Sequence, residues 1–257
     1  LFYIQSDIIR HQVGDELTLP IFSIPWRHHI EIMTKCHSVD EALFYVDKTL
    51  ENGWSRAVLM NFLDTQLYAA QGKAITNFSK YLPEPMSDLA QQTLKDPYNF
   101  DFLTMRENYN ERELEDALTK NITRFLLELG SGFAFVGRQV RLEINGNEFF
   151  IDLLFYHLKL RCYVVIELKV TEFKPEYLGQ LGFYVTAINK QMKRKEDSPT
   201  IGLIICKTKD RIIAEYALEG TNQPLGISQY DLVKIMPDEL KNTLPSIEEI
   251  ENKLNEE

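Results

Sequence analysis

No apolar run in this chain approaches the roughly 18 residues that a membrane-spanning helix needs, and no secretory leader is visible at its start. A helical membrane protein is therefore not expected. The first residue is Leu1 rather than Met, so a native start further upstream is allowed for. Cysteine is scarce: Cys36, Cys162 and Cys206 are an odd number, without the paired spacing of a zinc site. Cys162 and Cys206 fall in strand-like runs and read as small core residues, which suits a reducing, cytoplasmic setting. His28-His29 and His37 lack Cys or acidic partners at metal-site spacing and read as helix-surface residues. There is no internal repeat, and no short helix is basic enough to read as a DNA-recognition helix.

Positive charge is also in deficit. The formal net charge is −10, which at first opposes nucleic-acid binding. The charge is unevenly spread, however. Residues 159–211 carry eleven Lys/Arg against six Asp/Glu, whereas the last twenty residues carry two Lys against seven acids. Phosphates respond mainly to charge within a Debye length, about 8 Å at physiological salt, so a basic face on an acidic protein is allowed. Lys190, Lys193, Arg194 and Lys195 form the densest basic cluster. It reads either as a nucleic-acid contact or as a solvated helix end, where cations are favoured.

At 257 residues with 44% hydrophobic content, one large domain or two modest ones fit. Residues 1–80 read as a helical domain for targeting or self-association. Ser38-Val39-Asp40-Glu41 matches a capping box, and Asn52-Gly53 breaks the chain before a second helix. Pro83, Pro85 and Pro97 mark residues 81–97 as an inter-domain linker with one short helix. Residues 98–257 alternate: a helix from Asn110 to about Leu129, strands near 133–144, 148–156 and 162–170, a helix over about 175–194, a strand at 201–207, a helix near 210–218 and a strand near 226–230. A short helix with a frayed acidic end is expected over 246–257. Asn145-Gly146 is a hairpin turn signal, and the strand–helix–strand step from 162 to 207 predicts a parallel pair. The fold class is α/β: a mixed sheet flanked by helices, preceded by a helical domain.

Three charges stand out inside two otherwise apolar strand runs, Phe149–Tyr156 and Cys162–Val170: Asp152, Glu167 and Lys169. Strands apolar on both faces are covered on both sides, and charged residues are rarely buried there unless paired or binding something. A hairpin turning at Lys159-Leu160 makes partner numbers sum to about 319, which sets Asp152 opposite Glu167. Alternation then puts Lys169 on the same face. Two carboxylates about 4 Å apart repel by roughly 4 kcal/mol at an effective dielectric near 20. A cross-strand salt bridge with Lys169 offsets part of that; a divalent cation would offset more.

Asp, a spacer, then Glu-x-Lys on paired strands resembles the signature of PD-(D/E)XK nucleases, here Ile151-Asp152 and Glu167-Leu168-Lys169 with fourteen residues between. The Gln180-Leu181-Gly182-Phe183-Tyr184 motif on the following helix is similar to one that many members carry, and i, i+4 spacing puts Gln180 and Tyr184 on one face. Residues 87–98, Phe125–Gly130, Phe133–Gln139 and Glu51–Arg56 look like those of the bacterial YhcG-like proteins, which join a helical N-terminal domain to a PD-(D/E)XK domain. The resemblance implies a restriction-endonuclease-like fold and hydrolysis of phosphodiester bonds with Mg²⁺ or Mn²⁺ as cofactor; it gives little guidance on the substrate, for which DNA is the expectation. It implies Asp152 and Glu167 as metal ligands, and Lys169 as the residue that orients the attacking water or stabilises charge. Gln180 would position Lys169 or a phosphate, and Tyr184 would contact the backbone or brace Gln180. The family often has an acid on the helix before the hairpin. On one continuous helix, Glu128 lies about 40° from Leu114 at the border of the apolar stripe, so Glu128 is expected to complete the metal site, ahead of Glu113 and Asp116. The alternative is a non-catalytic nucleic-acid or protein-binding module with a vestigial nuclease site.

Overall fold

The structure, a computed structural model, describes residues 23–232 and the strand Ile235–Met236. The expected helix over 246–257, and the helical reading of residues 1–22, lie outside the described residues. The chain divides into two compact units, Leu1–Gln71 and Gly72–Glu257.

In the first unit, α1 (Trp26–Lys35), α2 (Val39–Asn52), α3 (Arg56–Asp64) and α4 (Leu67–Ala70) enclose a core that includes Ile32, Tyr45, Val46, Leu59 and Phe62. Ser38 caps α2 by accepting from Glu41 N–H, and the Glu41 carboxylate accepts from His37 N–H at 2.8 Å. Gly53 ends α2 at φ +62°, which a glycine adopts without penalty. His28 and His29 are buried, against the surface reading. His28 Nε2 lies 3.0 Å from the Trp54 carbonyl, tying α1 to the turn after α2. A mostly polar helix sequence hid that side from a reading based on apolar spacing.

The second unit is built on a seven-stranded sheet. Its strands are β1 (Ile75–Thr76), β2 (Tyr98–Asn99), β4 (Phe133–Ile144), β5 (Asn147–His157), β6 (Cys162–Glu172), β7 (Ile201–Thr208) and β8 (Leu225–Asp231), in the order β1-β8-β7-β6-β5-β4, with β2 also on β8. β3 (Met105–Arg106) pairs with β9 (Ile235–Met236) in a separate small sheet. The β4–β5 and β5–β6 pairs are antiparallel; β6–β7 and β7–β8 are parallel. Asn145 and Gly146 both take positive φ, 52° and 76°, as a two-residue hairpin of this twist requires. One face carries α7 (Glu111–Lys120) and α8 (Ile122–Leu129), whose Leu114, Leu118, Phe125 and Leu129 pack with Leu153, Phe155, Val164 and Ile166. The other carries α9 (Tyr177–Gln191) and α10 (Arg211–Glu219), with Leu181, Val185 and Ile188 over Val165 and Ile204. The mixed sheet between helices is the architecture that the alternating pattern predicted.

Two expectations are corrected. Residues 81–97 are not a linker: Leu82, Ala90 and Leu94 lie in the same core as Phe155 and Ile166, alongside Phe78. α5 (Phe78–Tyr81) and α6 (Met86–Thr93) belong to this layer. Asp96 accepts from Gln229 N–H at 2.9 Å and pairs with Lys209. The prolines mark turns inside the unit rather than its boundary. The helix expected from Asn110 to Leu129 is two helices, broken at Asn121. That residue leaves helical geometry (φ −106°, ψ 33°), and its side chain donates to the Ala117 carbonyl at 3.0 Å. An Asn side chain competing for backbone carbonyls in this way is a common helix stop.

Burying Phe78, Leu82 and Leu94 contributes on the order of 6 kcal/mol, at about 2 kcal/mol per side chain, against a typical domain stability of about 5–15 kcal/mol. A fragment of residues 72–257 is therefore expected to fold cooperatively, and one of residues 98–257 to lose its thermal transition. Circular dichroism melts of the two fragments check this; equal transitions would put the 72–97 segment back outside the core.

Candidate active site

The charged cluster stands where two strands part. The β5–β6 ladder runs from His157 opposite Cys162 to Leu153 opposite Ile166, in the register whose numbers sum to 319. The next pair would be Asp152 and Glu167, and there the ladder stops. Side chains take over the backbone's bonds. Asp152 N–H donates to Glu167 Oε1 at 3.4 Å, and Leu168 N–H donates to Asp152 Oδ2 at 2.9 Å. Past this fork β5 stays with β4, Ile151 opposite Val140, while β6 continues with β7, Glu167 opposite Ile204. Alternation also slips here: Ile151 and Leu154 share one core layer although three residues apart, which a regular strand forbids.

The slip has a counterpart on β4. Gln139 sits between the pairs Arg138–Leu153 and Val140–Ile151, with φ +45°, a left-handed conformation that costs a non-glycine residue about 1 kcal/mol or more. Its amide nitrogen donates to Asp152 Oδ1 at 3.4 Å and to the carboxylate of Glu115 on α7. Glu115 is buried.

Burial shapes the electrostatics. Glu167 is only 2% exposed. Burial first, and the neighbouring Asp152 charge second, push its carboxyl up to about 8. Burial likewise raises Asp152, while the Leu168 N–H and Lys169 pull it back. The Lys169 ammonium is 3.6 Å from Glu167 Oε2 and 5.3 Å from the centre of the Tyr177 ring. On α9, Gln180 Nε2 donates to the Tyr184 hydroxyl at 3.0 Å, and the charges of Glu167, Asp152 and Lys169 all act on Tyr184. Asp152, Glu167, Lys169 and Tyr184 are thus brought together, with Gln180 joined through Tyr184.

Glu128 is not brought there. It is buried in an ion pair with Lys95 at 3.3 Å and accepts from Asn99 N–H at 3.0 Å, so its carboxylate is taken up in fixing the start of the second unit. The break at Asn121 explains the misplacement, because angles counted from Leu114 do not carry past it. The acid that α7 sends toward Asp152 is Glu115, which lies about 60° from Leu118 on the helix and was legible as a flank of the stripe. Gln139 and Tyr177 were also missed; a polar side chain in mid-strand and a Tyr at a helix start carry little signal alone. Lys190, Lys193, Arg194 and Lys195 lie at and beyond the far end of α9, roughly 17 Å along the helix from Gln180 to Gln191 at 1.5 Å per residue. There Ser198 N–H donates to the Arg161 carbonyl in the β5–β6 turn. Among the described residues, no group of three or more His, Cys, Asp or Glu is arranged to hold a metal ion, and no helix is long and apolar enough to cross a membrane.

The family described as the YhcG PDDEXK nuclease domain matches residues 91–245, which contain the whole fork. The chain belongs to the YhcG PDDEXK nuclease family. The DUF1016 N-terminal domain matches residues 2–70, in line with the first compact unit. A relative in Escherichia coli (strain K12), bearing the name "Putative nuclease YhcG", is 33% identical over 246 residues, 93% of this chain and 65% of that protein, so this YhcG-family chain spans a little under two thirds of its relative's length. Among solved structures, a repair endonuclease from Pyrococcus abyssi is 18% identical with a TM-score of 0.32, over 51% of this chain and 50% of that one. EndoMS in a complex with double-stranded DNA is 14% identical with a TM-score of 0.33, over 53% and 49%. Likenesses that slight carry no weight for the substrate.

Two outcomes follow from the electrostatics of this YhcG-family site. Glu167 holds its proton in the folded chain to about pH 8 but releases it near 4.5 when unfolded. Between those values the native state binds the extra proton, so this group makes stability fall as pH rises. In EDTA, Glu167→Gln is expected to lose that slope and to melt higher than wild type at pH 8–9, with the two converging near pH 4.5; parallel melting curves across this range would contradict it. Glu128→Ala removes a buried ion-pair partner of Lys95 and should cost about 3–5 kcal/mol of stability, read as a loss of midpoint in urea.

Proposed function

We propose that the chain is a divalent-cation-dependent nuclease that hydrolyses phosphodiester bonds, with DNA as its substrate. The observation that carries this reading is the fork: a buried carboxyl group, Glu167, and a half-buried one, Asp152, converge with one ammonium beside them in a domain of a nuclease family. The donor set fits an oxygen-preferring cation. Both carboxyls are pushed toward protonation by burial, and Glu167 also by its partner, so a divalent charge between them removes the strain that a proton otherwise removes. Mg²⁺ typically takes one or two carboxylates and completes its shell with water and substrate phosphate; Mn²⁺ suits the same oxygens. Asp152 and Glu167 would hold the ion, which would supply Lewis-acid polarisation of the phosphate and a more acidic water.

The chain's own groups do the rest. Lys169 stabilises the negative charge that builds on the phosphate and orients the attacking water. Leu168 N–H and the Gln139 amide fix the Asp152 carboxylate. Glu115, through Gln139, takes the place that the sequence had given to Glu128 as the helix acid of the site. Tyr184 braces Gln180, which is exposed at the site's rim and available to a phosphate. Lys190, Lys193, Arg194 and Lys195 serve as a remote contact for the nucleic-acid backbone. The first unit supplies targeting or self-association. Three free, buried cysteines fit a cytoplasmic setting.

The test pairs chemistry with metal binding. Purified protein is incubated with linear, circular, nicked and branched DNA and with RNA, in Mg²⁺, Mn²⁺ or EDTA. Cleavage of DNA that EDTA abolishes is expected; retention of DNA without cleavage under every condition would favour a binding module. Asp152→Ala should lose both cleavage and Mn²⁺ binding by titration calorimetry. Lys169→Ala should keep Mn²⁺ binding but lose about 10²–10³-fold in rate. Wild-type cleavage by either variant would remove the site.

A further inference from the structure

Past Glu167, the residues of β6 that follow at strand spacing are Lys169 and Thr171, with Phe173 just beyond, and one ring reaches all three. Tyr177 opens α9. Its hydroxyl is 3.0 Å from Thr171 Oγ1, its ring meets that of Phe173 edge to face at 6.4 Å, and the Lys169 ammonium lies 5.3 Å from its centroid. A cation within about 6 Å of an aromatic face is attracted by the ring quadrupole, by about 0.5–2 kcal/mol depending on solvation. Lysine needs such a restraint because its four-carbon stem is flexible and its charge is a point rather than a fork. Glu167 alone, at 3.6 Å, does not fix where the ammonium points. The sequence offers Gln180 for that task, and the bond that Gln180 makes runs from its Nε2 to the Tyr184 hydroxyl at 3.0 Å.

We propose that Tyr177 is the positioning residue that aims Lys169, holding the ammonium against its ring face beside Glu167. The inference rests on the nuclease reading of the site. In it the hydroxyl serves only to anchor the ring to Thr171, and the ring face does the aiming. Phenylalanine should therefore substitute and leucine should not, although leucine fills much the same apolar space.

The experiment uses the full chain and has two arms. In the first, lysine labelled with ¹³C at Cε is read by NMR, the Lys169 signal being assigned by its loss in Lys169→Arg. A ring-current upfield shift of that signal is expected in wild type and in Tyr177→Phe, and its disappearance in Tyr177→Leu. No such shift in wild type overturns the proposal whether or not the protein cleaves anything. In the second arm, cleavage kinetics are compared. Tyr177→Leu should lose about tenfold in kcat, with KM and Mn²⁺ affinity within about twofold, while Tyr177→Phe keeps at least about a third of the rate. Phenylalanine bearing one, two and three fluorines at position 177 keeps the shape while draining the ring face, and should lower kcat step by step. If Lys169→Ala abolishes cleavage but the leucine and fluorinated variants match wild type, the aiming role falls and the nuclease reading stands. If wild type cleaves no substrate at all, the nuclease reading falls and the aiming role with it.

Discussion

A β-ladder that ends one pair early is the constraint on which the rest of the site depends. Had β5 and β6 stayed paired through Asp152 and Glu167, backbone groups would satisfy one another and the carboxylates would stand side by side with nothing to hold them. Instead each carboxylate accepts a backbone N–H that the ladder has released. Those bonds fix both side chains to rigid strands. The same parting lets β5 swing with β4, which requires Gln139 to take a left-handed conformation opposite Asp152. The strain sits next to the proposed site, and functional sites are where such strain is usually found.

The distribution of buried charge separates structure from function. Lys95–Glu128 and Asp96–Lys209 are ion pairs with both partners shielded, each fixing residues 95–99 to the sheet or to α8. Asp152 and Glu167 differ because two carboxyl groups share one lysine. A buried pair of opposite sign is complete in itself; two acids beside one ammonium are matched in charge only when one of them holds a proton. That difference, rather than burial alone, sets the fork apart from the two ion pairs.

Much of this was legible in the chain. Strand runs, their register and the Asn145-Gly146 turn follow from short-range pattern, and the sum of 319 holds for every pair of the second hairpin. What was not legible depends on backbone irregularity. The stop at Asn121 reset the helical phase, so Glu128 was sent to the wrong neighbourhood and Glu115 passed over. The ladder's end at Leu153 and the twist at Gln139 leave no periodic trace, since a slip of one residue looks like noise in an apolar run. Prolines at 83, 85 and 97 looked like a boundary because proline marks any turn, internal or external. His28 and His29 show the same limit from the polar side: composition cannot tell a solvated histidine from a buried one, such as His28 against the Trp54 carbonyl.

The short strand at Ile75–Thr76 lies between the two family matches, which end at residue 70 and resume at residue 91. It is only two residues long, yet it covers Ile227 and Gly226 on β8, at the edge of the sheet farthest from β4. An uncovered strand edge is a template for pairing with another chain. A protein trimmed to the family's limits would keep the whole fork and every charged group around it, but it would bare part of this edge. It would also lose Phe78 and Leu82 from the core, so its failing would be instability and self-association together, and the remedy would be twenty residues of sequence that neither family description claims.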